Sequence, residues 1–257
     1  MNWGMNFLIG LATGLFGGLV GIGGGVIMVP LMVGVLKMGQ LKAHGTSLVA
    51  LVFTGIAGAV TYALEGSVDI MASVLLASTA IFTARAGARY ADALPEWKLK
   101  KSFGLFLLLI TLLLLLKPYI PHIAEPATGW FKIIILLLTG AFTGFLSGMM
   151  GVGGGTIMVP AMVLLAGLPQ YTAQGSSLLA MVPAGGVGAF THWRLGNVNT
   201  SILAGLVPGI IIGTFFGSSF AHNLSEGVLR IIFAAVLTWS GIKYLRTPVT
   251  ETVEENQ

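Results

Sequence analysis

The chain has 257 residues, 55% of them hydrophobic and 9% charged, with mean hydropathy +0.92, a formal net charge of +4 and no cysteine. A soluble domain carries roughly 25% charged residues, so the composition excludes an aqueous globular enzyme and points to an all-α polytopic membrane protein whose first partner is the lipid bilayer. Nucleic-acid binding is excluded too, because it needs a basic patch on a folded soluble face; without cysteine there are no disulfides or thiolate metal sites.

In chain order, the first apolar run (5–20) has no basic segment before it and no small-residue cleavage site after it. It reads as a retained helix rather than a signal peptide. Its Gly10, Gly14 and Gly18 form a stripe suited to close helix packing. GIGGGVIMVP (21–30) follows. Gly23-Gly24-Gly25 is a strong helix breaker, each glycine costing about 1 kcal/mol relative to alanine. A short helix is expected to restart over 25–36, with Pro30 in its first turns, where the missing N–H matters least. AHGTSLVA (43–50) then sets His44, Thr46 and Ser47 near the start of a crossing expected over 46–64. Further crossings are expected over 70–91 and 102–117, near the roughly 20 residues a bilayer requires. Arg85 lies inside the first of these, close enough to its end to snorkel, although a buried intramembrane arginine usually serves function. The stretch 94–101, LPEWKLKK, reads as a cytoplasmic boundary.

The second half repeats the first. Offset by 130, residues 14–68 and 144–198 are identical at 25 of 55 positions. Gly153-Gly154-Gly155, Thr156 and Pro160 stand where Gly23-Gly24-Gly25, Val26 and Pro30 stand, and AQGSSLLA (173–180) sets Gln174, Ser176 and Ser177 against His44, Thr46 and Ser47. Apolar runs recur at 131–149, 155–166, 175–193, 199–221 and 228–245. The organisation expected is a transmembrane repeat over 1–125, a second over 126–246 and a disordered tail over 247–257. His122, His192 and His222 fall at helix ends and read as interfacial; they have no metal-ligand spacing.

Repeats of this kind are related in parallel or by inversion, and Lys and Arg collect on the cytoplasmic side. If each glycine-broken segment crossed once, the bias would reverse between halves. If each enters, turns at its glycines and returns, each repeat has three full crossings and the repeats are inverted. Lys37, Lys42, Arg85, Arg89, Lys98, Lys100, Lys101, Arg194, Lys243 and Arg246 then share one side, against Lys117, Lys132 and Arg230 on the other, a split of 10 to 3. The expectation is therefore two inverted repeats, each with a glycine-broken, re-entrant or discontinuous first helix followed by three transmembrane helices, and both termini in the cytoplasm.

Unwound chain inside a bilayer survives only where protein or a water-filled cavity surrounds it. The restart of a helix presents unpaired N–H groups and about half a positive charge, which suits an anion. Two such restarts meeting near the midplane would hold one small anion between Gly23, Gly24, Gly25 and Gly153, Gly154, Gly155. Thr156, Thr46, Ser47, Ser176, Ser177, His44 and Gln174 would add donors, with Pro30 and Pro160 as structural hinges. The bland alternatives are that the glycines serve packing alone and that the hydroxyls cap the next helix. No carboxylate falls in the middle of a crossing, which argues against a carboxylate proton relay. No cofactor, metal or catalytic residue is expected. An anion channel or, less favoured, a membrane-embedded enzyme are the competing functions, and a homodimer is left open.

GLFGGLVGIGGGVIMVP (14–30) with its second copy GFLSGMMGVGGGTIMVP (144–160), the AHGTSL and AQGSSL segments, and GARYADALPEWKLKKSFG (87–104) resemble the sulfite exporter TauE/SafE family of membrane permeases. The resemblance spans nearly the whole chain. It implies a multi-pass transporter of the inner (plasma) membrane that moves sulfite, small organosulfonates or other sulfur compounds. It also implies that the glycine clusters, Pro30, Pro160 and the paired hydroxyl residues line the pore.

Overall fold

The computed structural model describes residues 3–116 and 129–246; the expected tail 247–257, Lys117, His122 and Glu125 lie outside the described residues. The described chain is built from α1 (Trp3–Val20), α2 (Gly25–Gly34), α3 (Gln40–Leu64), α4 (Ile70–Asp92), α5 (Glu96–Leu116), α6 (Gly129–Met150), α7 (Gly155–Leu164), α8 (Gln170–Arg194), α9 (Leu203–Ala221) and α10 (Glu226–Leu245), with a 3-10 turn at Thr200–Ile202 before α9. Among the described residues, five stretches are long and apolar enough to cross a membrane: α1, α3, α4, α6 and 200–221. α2 and α7 are apolar but only 10 residues each, about half a bilayer at 1.5 Å per residue.

Small residues set the packing. Gly10, Gly14 and Gly18 of α1 lie directly on the carbonyls of Leu206, Ile210 and Thr214, while Gly209, Gly213 and Gly217 of α9 lie on those of Phe7, Leu11 and Leu15. Rising numbers meet rising numbers, so α1 and α9 run parallel, and backbone approach this close has no room for a Cβ. The second repeat does the same: Gly140, Gly144 and Gly148 of α6 lie on the carbonyls of Leu76, Ala80 and Ala84 in α4. The central pair runs the other way. Gly45 of α3 packs against His192 and Asn197, and Gly175 of α8 against Tyr62 and Ser67. α5 and α10 are antiparallel as well, Gly104 meeting Gly241 and Leu245. Each repeat thus packs mainly on the other rather than on itself.

The two ends of this bundle differ. One gathers the start of α1, where Trp3 Nε1 donates to Ala204 O (3.2 Å), the start of α3, where Thr46 Oγ1 accepts from Asn199 N (2.9 Å), and the end of α10, where Tyr244 bonds Gln40. The other gathers Asp69, whose N–H donates to Ser176 Oγ (2.8 Å), Lys132, 3.8 Å from the Asp69 carboxylate, and Tyr171, whose hydroxyl donates to Leu224 O (2.5 Å).

Three expectations are corrected. Pro30 is the sixth residue of α2 and Pro160 the sixth of α7, past the first turn, so the missing N–H is one the helix would have used. The ring at Pro30 removes the donor that would serve Val26 O, and Ser240 Oγ lies 3.5 Å from that carbonyl instead. His192 does lie in the last turn of α8, but it is fully buried in the protein rather than facing its surface, and its Nε2 donates to Gly148 O (2.9 Å). α3 begins at Gln40, six residues before the expected crossing, since its polar first turn sits at the end of the bundle.

Candidate functional site

α1 ends when its chain reaches Gly21 (φ 72°); Gly23 (φ 82°) and Gly24 (φ 78°) continue in the left-handed region that side chains disfavour. α2 then restarts, with the N–H groups of Ile27 and Met28 donating to Gly24 O at 3.1 and 2.9 Å. The second copy follows the same course through Gly151 (φ 64°) and Gly153 (φ 83°), and Ile157 and Met158 donate to Gly154 O at 3.1 and 2.9 Å. One difference separates the copies: Gly154 is right-handed (φ −76°, ψ −17°) where Gly24 is left-handed.

The two restarts meet. A methyl group on Gly25 would lie 2.6 Å from Val152 O, and one on Gly155 would lie 2.5 Å from both Gly21 O and Ile22 Cα. Each half-helix therefore begins against the unwound chain of the other repeat. Gly23 and Gly153 both pack on Leu51 and Met181, near the centres of α3 and α8, and Gly155 N–H points at Met181 Sδ (3.2 Å). The residues at this crossing are glycine, aliphatic and sulfur-bearing. What the site offers an anion is backbone polarity, about half a positive charge from each helix start.

Ser47 and Ser177 belong to the crossing. Ser177 Oγ lies within donating distance of Gly21 O (2.6 Å) and Gln174 O (2.8 Å); Ser47 Oγ donates likewise to Gly151 O and to His44 O (2.7 Å). Each hydroxyl thus ties the first unwound carbonyl of one repeat to the central helix of the other. Thr156 is buried in the first turn of α7, and Pro30 and Pro160 are buried mid-helix. Thr46 and Ser176 stand away from the crossing, toward opposite ends: Thr46 Oγ1 donates to Lys42 O (2.6 Å), and both oxygens accept backbone N–H groups of the other repeat. None of the four hydroxyls caps its own helix, since the N-caps are Gly39 and Pro169. His44 accepts from Gln40 Nε2 (2.8 Å), and Gln174 Oε1 lies 2.9 Å from the Tyr62 hydroxyl. Arg85 is exposed on α4 and is not part of the crossing. Two cavities, of about 330 and 340 Å³, lie elsewhere: one beside Ala63, Val68 and Ile70, the other beside Ile27 and Trp239.

Sequence reasoning missed Leu51, Met181, Tyr62 and His192. Leu51 and Met181 follow Ser47 and Ser177 by one helical turn and so share their face, a signal that was available. Tyr62 and His192 occupy equivalent repeat positions and reach equivalent carbonyls, Gly18 O at 3.0 Å and Gly148 O at 2.9 Å, but their different chemistry hid the correspondence.

Over residues 6–244 the sequence matches the family model described as sulfite exporter TauE/SafE. It is 27% identical to the probable membrane transporter protein YunE of Bacillus subtilis, over 95% of this chain and 98% of that one. It is 30% identical to a probable membrane transporter protein of Xylella fastidiosa, over 91% and 90%, and 25% identical to the probable membrane transporter protein MJ0441 of Methanocaldococcus jannaschii, over 91% and 92%. No solved structure matches.

Proposed function

The chain belongs to the sulfite exporter TauE/SafE family of multi-pass membrane transporters, and on that premise we propose that it is an alternating-access permease of the inner membrane for a small sulfur oxyanion, sulfite or a small organosulfonate. The anion is held where the starts of α2 and α7 abut the opposite unwound segments. The observation that carries this reading is the apposition of Gly25 with Val152 and of Gly155 with Gly21 and Ile22. Two helix starts converging on one place is an arrangement that favours negative charge from both sides. The tight packing of both clusters on Leu51 and Met181 favours a carrier that opens by moving its repeats over a continuously open channel. Purified protein in proteoliposomes is expected to give saturable sulfite flux, tested against sulfate, thiosulfate and sulfoacetate under imposed pH gradients. No flux of any of the four overturns the substrate class; flux that never saturates overturns the carrier.

The transport units of this reading are the repeats 1–125 and 126–246, inverted with respect to each other. A two-fold that relates α3 to α8 and α5 to α10, each pair antiparallel, lies perpendicular to those helices and hence in the plane of the membrane they cross. The end of the bundle shared by Trp3, Gln40 and Tyr244 also carries Lys37, Lys42, Arg89, Arg194 and Lys243, as a cytoplasmic face does. Reporter domains fused to each terminus are expected to report cytoplasm for both; termini on opposite sides defeat the inverted arrangement, and both in the periplasm overturn the cytoplasmic face.

A further inference from the structure

Most buried threonines in this bundle spend their protons locally. Thr13, Thr54, Thr61, Thr111, Thr143 and Thr191 each donate to the carbonyl four residues back. Two α9 hydroxyls do not. Thr214 Oγ1 and Ser218 Oγ, both on fully buried residues, have no hydrogen-bond partner, and neither does Nε2 of fully buried Gln174. All three residues border Gly18, Thr214 and Ser218 from one face of α9 and Gln174 through the Tyr62 hydroxyl that also reaches Gly18 O. A methyl group on Gly18 would lie 2.7 Å from Ser218 Oγ, and one on Gly58 would lie 3.3 Å from Thr214 Cγ2. The Tyr62 hydroxyl lies 3.0 Å from Gly18 O and 2.9 Å from Gln174 Oε1 with one proton for the two; with Oε1 turned toward Tyr62, Nε2 is the amide atom left over. The cluster adjoins the crossing, since a methyl on Gly21 would lie 2.6 Å from Gln174 Cγ. From there it extends toward the end of the bundle that carries His222 and Ser67. The internal repeat shows that this polarity is not required by the fold: the positions equivalent to Thr214 and Ser218 are Ala84 and Ala88, equally buried in α4. Buried donors without partners are costly to a folded protein, and in native structures they call for an explanation such as a bound species.

We propose that Thr214, Ser218 and Gln174 Nε2 form a second anion station, a transit site between the glycine crossing and the end of the bundle opposite Trp3 and Tyr244. It binds the transported oxyanion through neutral donors as it passes to or from the crossing. The proposal rests on the oxyanion-permease reading above. Because its donors are uncharged, the station desolvates the anion without trapping it.

The test is sulfite flux by the full chain in proteoliposomes. Thr214→Ala/Ser218→Ala installs the residues that the first repeat already carries, so folding is expected to hold. Gln174→Glu keeps an acceptor for Tyr62 while replacing the free donor by a carboxylate oxygen. The control is Thr54→Ala, whose hydroxyl is spent on Ala50 O (3.4 Å). The double variant is expected to raise the sulfite KM about tenfold or more, as lost hydrogen bonds to a charged ligand do. Gln174→Glu is expected to remove flux, and Thr54→Ala to leave KM within about twofold. Unchanged KM in the double variant overturns the station, as does an equal loss in Thr54→Ala, which would make the effect one of packing. A sodium requirement in the wild type that disappears in the double variant also overturns it, by assigning the cluster to a cation. Absence of sulfite flux in the wild type itself is the separate failure of the permease reading, and the station falls with it.

Discussion

Replacing Gly24 by alanine is expected to abolish sulfite flux, while the same replacement at Gly154 leaves most of it, although the two glycines occupy matching positions in near-identical motifs. Gly24 sits at φ 78°, and a Cβ there runs into the backbone carbonyl of Thr13. The left-handed conformation alone costs an L-residue about 1–2 kcal/mol. The overlap adds to that, because Thr13 lies in the stretch of α1 held against α9 by Gly10, Gly14 and Gly18 and has nowhere to retreat. Gly154 is different. Its φ of −76° suits any residue, and a methyl there meets side-chain ends, Thr143 Cγ2 at 2.7 Å and Met158 Cε at 2.9 Å. Methionine yields to such pressure. At 1.4 kcal/mol per tenfold, Gly24→Ala should lose at least about tenfold in flux per inserted protein, and Gly154→Ala less than about threefold. Flux in proteoliposomes, normalised to reconstituted protein, decides it. Equal, severe loss in both would mean that the copies exchange conformations during transport, each taking the left-handed form in turn.

The difference between Gly24 and Gly154 marks where sequence reasoning ends. The triplets are identical, so nothing local distinguishes them; the surroundings do, through Thr13 on one side and Thr143 with Met158 on the other. Local features were legible. Runs of apolar residues as long as a bilayer is thick have few alternatives to helix, and the breaks at residues 21–24 and 151–154 were written in glycine. The offset repeat also set Ser47 and Ser177 at matching positions, and the two make matching hydrogen bonds. Their partners were not legible, because Ser47 bonds Gly151 and Ser177 bonds Gly21 across 104 and 156 residues of chain. Pairing rules by composition do not reach that far. Thr46 and Ser176 adjoin Ser47 and Ser177 in sequence, but successive residues on a helix point about 100° apart, and these two accept from the N–H groups of Asn199 and Asp69 instead.

Gly25→Ala and Gly155→Ala test whether these glycines merely break a helix or are needed where each half-helix meets the opposite chain, because those two readings differ in sign. If these glycines merely interrupt a helix, alanine at the first position of α2 or α7 should help: each restarted helix gains about 1 kcal/mol of propensity, and the chain loses backbone freedom in its unfolded state. Neither residue has a positive φ, so no backbone penalty opposes the change. Their surroundings give the opposite expectation. The new methyl of Gly25→Ala would fall 2.6 Å from Val152 O and 2.7 Å from Val152 Cα, and that of Gly155→Ala 2.5 Å from Gly21 O and Ile22 Cα. All are backbone atoms of the other repeat, and all lie where the anion is proposed to bind. Each variant must push the repeats apart at the crossing, and overpacking of this kind costs typically 1–3 kcal/mol. Both are therefore expected to insert, to melt earlier in detergent and to lose sulfite flux by at least about tenfold, with the pair together no worse than the more severe single variant, since either alone opens the same contact. Raised melting temperature with normal flux in either variant would show that the half-helices do not need to touch the opposite chain, and the site would have to be sought elsewhere.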